Sequence, residues 1–264
     1  MGGLGLFIVT LLFLGVAACP NDPRDIVLLI DGSSSLRTTK FLELMLFVQL
    51  FCKTFPEDTL FSLLHFSDKS WEHFDFRYFQ NHRNLDTVLQ HASQLGGSSH
   101  TATAIRKAME QFTPQKGARS NAKKFLVVVT DKKKAGDPLE YTDVVWEAER
   151  AGITRFAVGV GPMFLSRIAQ QELHTMASHP ATEHVFVLRQ FSDLMDIRLK
   201  EKICASHGPV IPQPTLAPQI SCASRSDPRV LQKLEQVMQA LDQVKSKLDL
   251  LAARDGTCGH NSQG

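Results

Sequence analysis

Asp31-Gly32-Ser33-Ser34-Ser35 crowds one carboxylate and three hydroxyls into five residues, directly after the apolar run Ile26-Val27-Leu28-Leu29-Ile30. Thr101 follows the loop Gly96-Gly97-Ser98-Ser99-His100, and Asp131 ends a second apolar run, KKFLVVVTD. Oxygen donors alone, mostly neutral hydroxyls, suit a hard divalent cation and Mg²⁺ above all. Another reading is open at this point: Asp31 caps the next helix and the serines are solvated turn residues.

For these residues to meet, the elements before them must end at one edge of the molecule. Residues 26–30 have the length and β-branched content of a strand buried on both faces. Phe41, Leu44, Met45, Val48, Phe51 and Cys52 recur at helical spacing, and Phe55-Pro56 ends that helix. Thr59–Phe66 reads as a strand and residues 73–76 as a short edge strand. Residues 85–95 and 102–112 read as helices, and residues 123–131 as a strand. Beyond it helices over 139–151, 164–177 and 191–204 alternate with strands over 155–160 and 184–188. Strands alternating with such helices predict a doubly wound, mostly parallel α/β sheet covered on both faces. In open sheets of this kind ligands bind at the carboxyl ends of the strands, where Asp31 and Asp131 stand.

The three oxygen-bearing loops on an alternating α/β frame resemble the von Willebrand factor A domain and its metal-ion-dependent adhesion site. The segments LGGSSHTATAIRK, VVVTDKKKAGDPLEYTDVVWEAERAGITRFAVGVG and QELHTMASHPATEHVF are similar to the I domains of leukocyte integrin alpha subunits. That resemblance implies that Ser33, Ser35 and Thr101 coordinate Mg²⁺ through their hydroxyls, with Mn²⁺ or Ca²⁺ as substitutes. Asp31 and Asp131 would hold coordinating waters and supply charge. It also implies a partner carboxylate as the last ligand and an affinity switch at the end of the final helix, where Ile203 matches. Extracellular matrix, cell-surface or complement-type proteins are the partner classes implied. Two departures stand out. Lys132 replaces the usual Gly after Asp131, which predicts strain if that position needs a positive φ. Lys132-Lys133-Lys134 also predicts repulsion of a cation at the site. Ser34 replaces a common Gly within an intact D-x-S-x-S spacing.

Enzyme motifs are lacking. Gly159-Val160-Gly161 has no third glycine for a dinucleotide loop, and Ser33 is not framed as a nucleophile elbow. His65, His73, His91, His100, His174, His179 and His184 have no metal-ligand spacing. The chain of 264 residues is 43% hydrophobic and 21% charged, with a net charge of +2, which gives no electrostatic footprint for nucleic acid. The sequence thus predicts a non-enzymatic recognition protein. The other reading is a structural or assembly protein of the matrix whose A domain is a metal-free spacer.

Residues 1–18 are apolar, end in small residues and predict a secretory signal peptide, hence a secreted, extracellular chain without a membrane span. Residues 19–205 would form the A domain, 206–228 a Pro-rich linker, 229–253 a short coiled coil and 254–264 a tail. Val230, Leu234, Val237, Leu241, Val244, Leu248 and Leu251 step alternately by four and three. Leu at a with mainly Val at d predicts a homo-oligomer of three or four chains. Cys222 and Cys258 flank this seam and are candidates for inter-chain disulfides, in the manner of matrilins. Cys19 and Cys204 bracket the A domain, whose ends are expected to lie close together, and are predicted to pair. Cys52 reads as inert core.

Overall fold

The computed structural model describes Cys19, residues 22–34, 36–195 and 198–206, and Gln239. Six strands form one sheet in the order β3-β2-β1-β4-β5-β6. They are β1 (Arg24–Asp31), β2 (Thr59–Phe66), β3 (Ser70–Phe74), β4 (Lys123–Thr130), β5 (Ile153–Val160) and β6 (Val185–Leu188). All neighbours run parallel except β2 and β3, which form an antiparallel pair at the edge. Every residue of β1, β2 and β5 is buried, as continuous apolar runs demand when helices cover both faces. At the sheet edge β6 is only half-buried.

The helices are α1 (Thr38–Lys53), α2 (Phe76–Asn81), α3 (Asp86–Gln90), α4 (Thr101–Met109), α5 (Tyr141–Arg150), α6 (Arg167–Met176), α7 (Ala181–His184) and α8 (Leu199–Ala205). The face of α1 built from Phe41, Leu44, Met45, Val48, Phe51 and Cys52 is buried, as its spacing predicts. Three expected helices are shorter or divided. Residues 85–95 yield only the five residues of α3, because Leu95 and the following Gly-Gly pair run out into loop. Residues 164–177 divide into a 3-10 turn, Pro162–Leu165, and α6, separated at Ser166, whose hydroxyl accepts from the Ala169 N–H at 3.3 Å. Residues 191–204 divide likewise into a 3-10 turn, Phe191–Met195, and α8.

Cys19 and Cys204 are joined by a disulfide, their Cα atoms 4.7 Å apart across 185 residues of sequence. Cys52 is a buried free cysteine, and burial pushes its thiol far above the ordinary range. Among the described residues no helix is long and apolar enough to cross a membrane. The expected signal peptide (residues 1–18), the expected coiled coil (229–253), Cys222 and Cys258 lie outside the described residues, Gln239 excepted.

Candidate metal centre

In the β1–β4 register Ile30 lies opposite Val129, so Asp31 at the end of β1 is brought beside Thr130 at the end of β4. Asp31 is fully buried. Its Oδ1 accepts the Ser33 backbone N–H at 2.9 Å, and its Oδ2 accepts the Ser99 hydroxyl at 2.8 Å. Thr130 Oγ1 donates to the same Oδ2 at 2.7 Å, the charged and closer acceptor, with the Lys132 carbonyl at 2.9 Å. A buried carboxylate without such partners would be costly. Here three groups hold it in one orientation.

Ser99 Oγ is also 3.3 Å from Thr101 Oγ1. Thr101, the first residue of α4, is fully buried, as is Ser33. Ser99 therefore ties Asp31 to Thr101, while Thr130 ties Asp31 to the strand that ends next to Asp131. Asp131 itself is half-buried. Ser35 lies outside the described residues. Three loops from distant parts of the chain thus bring Asp31, Ser33 and Thr101 together, with Asp131 next to Thr130.

Two further residues shape the loops. Gln94 Nε2 donates to the Ser33 carbonyl at 2.8 Å and to the Leu36 carbonyl at 2.7 Å, bracing the loop on both sides of position 35. Ser34 donates its N–H to the Gly97 carbonyl at 3.0 Å and accepts the Gly97 N–H on Oγ at 2.6 Å. Gly97 adopts φ +84°, which a side chain would strain. The hydroxyl that replaces the common Gly at position 34 therefore fastens the first loop to the second. Gly32 is needed for space: a Cβ there would lie 2.6 Å from the His65 ring.

Asp137 caps α4 from outside the helix. Its Oδ2 accepts the Ala102 and Thr103 N–H groups at 2.6 and 3.1 Å, and its Oδ1 accepts the Thr103 hydroxyl at 2.6 Å and the Leu139 N–H at 3.0 Å. Burial would raise its pKa, but these four bonds outweigh burial and hold the carboxyl below its ordinary value. His100, at the N-cap position, contributes no side-chain cap, so Asp137 fixes the end of the helix that begins with Thr101.

Lys132 carries no strain: among the described residues no non-glycine has a positive φ. The repulsion expected from the lysine run is also reduced. Lys134 Nζ bonds the Leu139 carbonyl at 2.6 Å and Glu140 at 2.9 Å, and Lys133 Nζ lies 3.7 Å from Glu172. Sequence reading singled out neither Ser99 nor Thr130 nor Asp137. A hydroxyl beside each of Thr101 and Asp131 was the available signal for the first two. Asp137 gave none, because its role depends on how the loop after β4 folds back on α4.

The donors at this place are all oxygens, and the buried carboxylate is oriented by hydroxyls and a backbone N–H, which fits a hard divalent cation. Among the described residues no group of three or more His, Cys, Asp and Glu could hold a metal. The donors at this site are chiefly hydroxyls, which such a group does not include.

Residues 25–200 match the family model of the von Willebrand factor type A domain. The chain belongs to that family. Human integrin alpha-X and mouse integrin alpha-M are each 44% identical over 194 residues, a stretch covering 72% of this chain and 17% of the relative. The chain thus spans a small part of the integrin relatives it matches. Mouse matrilin-2 is 31% identical over 195 residues, covering 70% of this chain and 20% of matrilin-2. Among solved structures, proximal thread matrix protein 1 of the mussel byssus, in a form with a zinc-occupied MIDAS motif, superposes with a TM-score of 0.62. It is 22% identical and covers 70% of this A-domain chain and 48% of its own. At that identity the likeness shows the shared fold.

Proposed function

We propose that the chain is a secreted, non-enzymatic recognition protein that grips an acidic residue of an extracellular protein partner through Mg²⁺. Asp31, Ser33, Ser35, Thr101 and Asp131 would hold the ion. When bound, the ion offers an open coordination position to a partner carboxylate. The single observation that carries this reading is the buried Asp31 carboxylate at the end of β1, clasped by the Ser33 N–H and the Ser99 and Thr130 hydroxyls. A carboxylate that only capped α1 would bond that helix's first N–H groups, yet the bonds of Asp31 go to the Ser33 N–H and to the hydroxyls of Ser99 and Thr130 from two other loops. The integrin and matrilin relatives support the reading from sequence.

Each residue has a defined task. Ser99 and Thr130 orient Asp31, Asp137 holds the first turn of α4 and with it Thr101, and Gln94 and Ser34 hold the loop that carries Ser33. In this reading the Cys19–Cys204 bond anchors the end of α8 beside Ile203, which is fully buried, and limits any slide of that helix. The segment 229–253 would assemble several chains, so that weak single sites act together.

Calorimetric titration of Mg²⁺ into the full chain tests the reading, with Asp131→Ala and Thr101→Ala as variants. We expect binding that EDTA abolishes, that Mg²⁺ or Mn²⁺ restores, and that each variant weakens at least tenfold, about 1.4 kcal/mol. Equal heats in wild type and both variants would favour the metal-free spacer instead.

A further inference from the structure

Beside Asp131 the surface carries an apolar and basic shelf that the metal site does not use. The 3-10 turn Pro162–Leu165 buries Phe164 completely and leaves Met163 46% and Leu165 56% exposed on either side of it. Ile168, in the first turn of α6, is 75% exposed. Three large apolar side chains so close in sequence and so open to water are costly unless something covers them. Ile168 also lines a cleft of about 490 Å³, together with Lys133, Arg167, Gln171, Glu172 and Thr175.

The cleft carries surplus positive charge. Glu172 is already engaged: Oε2 accepts the Lys134 N–H at 3.0 Å and the Tyr141 hydroxyl at 3.3 Å. Lys133 Nζ pairs with Oε1 at 3.7 Å, so one carboxylate faces two cations in this cleft. Arg167 is exposed and forms no ion pair among the described residues. β4 and β5 are neighbours, with Thr130 opposite Gly159, so this shelf and Asp131 rise from adjacent strand ends. A chain lying across one continues onto the other.

We propose that this shelf is a second recognition subsite, for an extended acidic segment of the partner protein. Resting on the reading above, one carboxylate of the segment would meet the metal, a second would meet Lys133 and Arg167, and an apolar side chain between them would cover Ile168 and Leu165. The apolar part of the surface decides for a protein segment over a sulfated polysaccharide, which has charge for the lysine and arginine but nothing to bury against Met163, Leu165 and Ile168.

The test uses the full chain and two sets of Gly/Ser peptides in Mg²⁺: one set with a single Glu, the other with Glu, Leu and a second Glu at graded spacings. We expect the best peptide of the second set to bind about tenfold more tightly than the first. Arg167→Gln and Ile168→Ser, both at exposed positions, should each remove most of that gain, while the Mg²⁺ affinity measured by calorimetry stays unchanged. Variants that keep the full gain would overturn the subsite. So would a sulfated hexasaccharide that binds without Mg²⁺, displaces the peptide and loses affinity in Arg167→Gln but not in Ile168→Ser. Failure of both peptide sets to bind in Mg²⁺ would overturn the metal-dependent reading itself and the subsite with it.

Discussion

His65 and His73 sit directly behind the candidate metal loop, and their consequence is a dependence of stability on pH. His65 Nδ1 and His73 Nε2 are 2.5 Å apart, and the rings stack with centroids at 4.7 Å. Burial, and then repulsion from His73, pushes the His65 pKa down to about 3; burial pushes His73 down to about 4. Both groups are neutral in the fold at pH 7. Unfolding returns them to the ordinary value near 6.5, so the unfolded chain binds more protons between that value and the folded ones. Stability is therefore complete above pH ~6.5 and falls as the pH drops towards 4, by at most about 1.4 kcal/mol per pH unit for each ring. Urea midpoints at pH 7, 6 and 5 should decline accordingly. His65→Gln should flatten the decline whatever its stability at pH 7, and an equally steep profile in that variant would refute the assignment.

At the scale of elements, α4 shows how a loop far along the chain can govern a site residue. The helix starts with Thr101, and the carboxylate that satisfies its first free N–H groups belongs to Asp137, not to a residue preceding the helix. Losing a cap of this kind costs about 0.5–2 kcal/mol. Asp137→Ala should lower stability by that amount, measured by chemical denaturation, and should also weaken Mg²⁺ binding because the first turn carrying Thr101 loosens. Asp137→Asn keeps an acceptor oxygen and should recover part of both. An effect on stability with Mg²⁺ affinity untouched would separate the cap from the site.

For the whole molecule, the disulfide between Cys19 and Cys204 closes nearly the entire domain. In the chain-entropy account a loop of this length restrains the unfolded state by about 5 kcal/mol, and native disulfides measured by removal give about 2–5 kcal/mol. Cys204→Ser should therefore unfold at markedly lower denaturant concentration than wild type. Under the proposed function it should also widen the range of Mg²⁺-dependent affinities, since the end of α8 is no longer tied to the strand that precedes the metal loop. Light scattering tests the assembly. We expect the intact chain to sediment and scatter as three or four copies, and Leu241→Lys, at a central a position of the seam, to give a monomer. A monomeric wild type would leave residues 229–253 some task other than assembly.

The sequence by itself determined most of the sheet, because strands buried on both faces must be continuous apolar runs: residues 26–30, 59–66 and 123–131 announce β1, β2 and β4 to within two residues at each end, whereas the edge strand expected at 73–76 lies at Ser70–Phe74 and Phe76 opens α2 instead. It also marked where chemistry could sit, at the carboxylates and hydroxyls where such runs stop, although caps and turns use the same residues and the motif by itself left that reading open. Only the tertiary structure decided what holds those groups. Ser99 and Thr130 reach one Asp31 oxygen from positions 68 and 99 residues away, and such distances leave no periodic mark in the chain. His65 and His73 became a pair because the β2–β3 hairpin folds one ring onto the other, although their spacing fits no recognised ligand pattern. Short helices were the least legible. α6 begins at the Ser166 hydroxyl cap and α3 stops before the Gly96-Gly97 loop, while helices as short as α3 and α8 depend on packing against the rest of the domain rather than on their own apolar stripe.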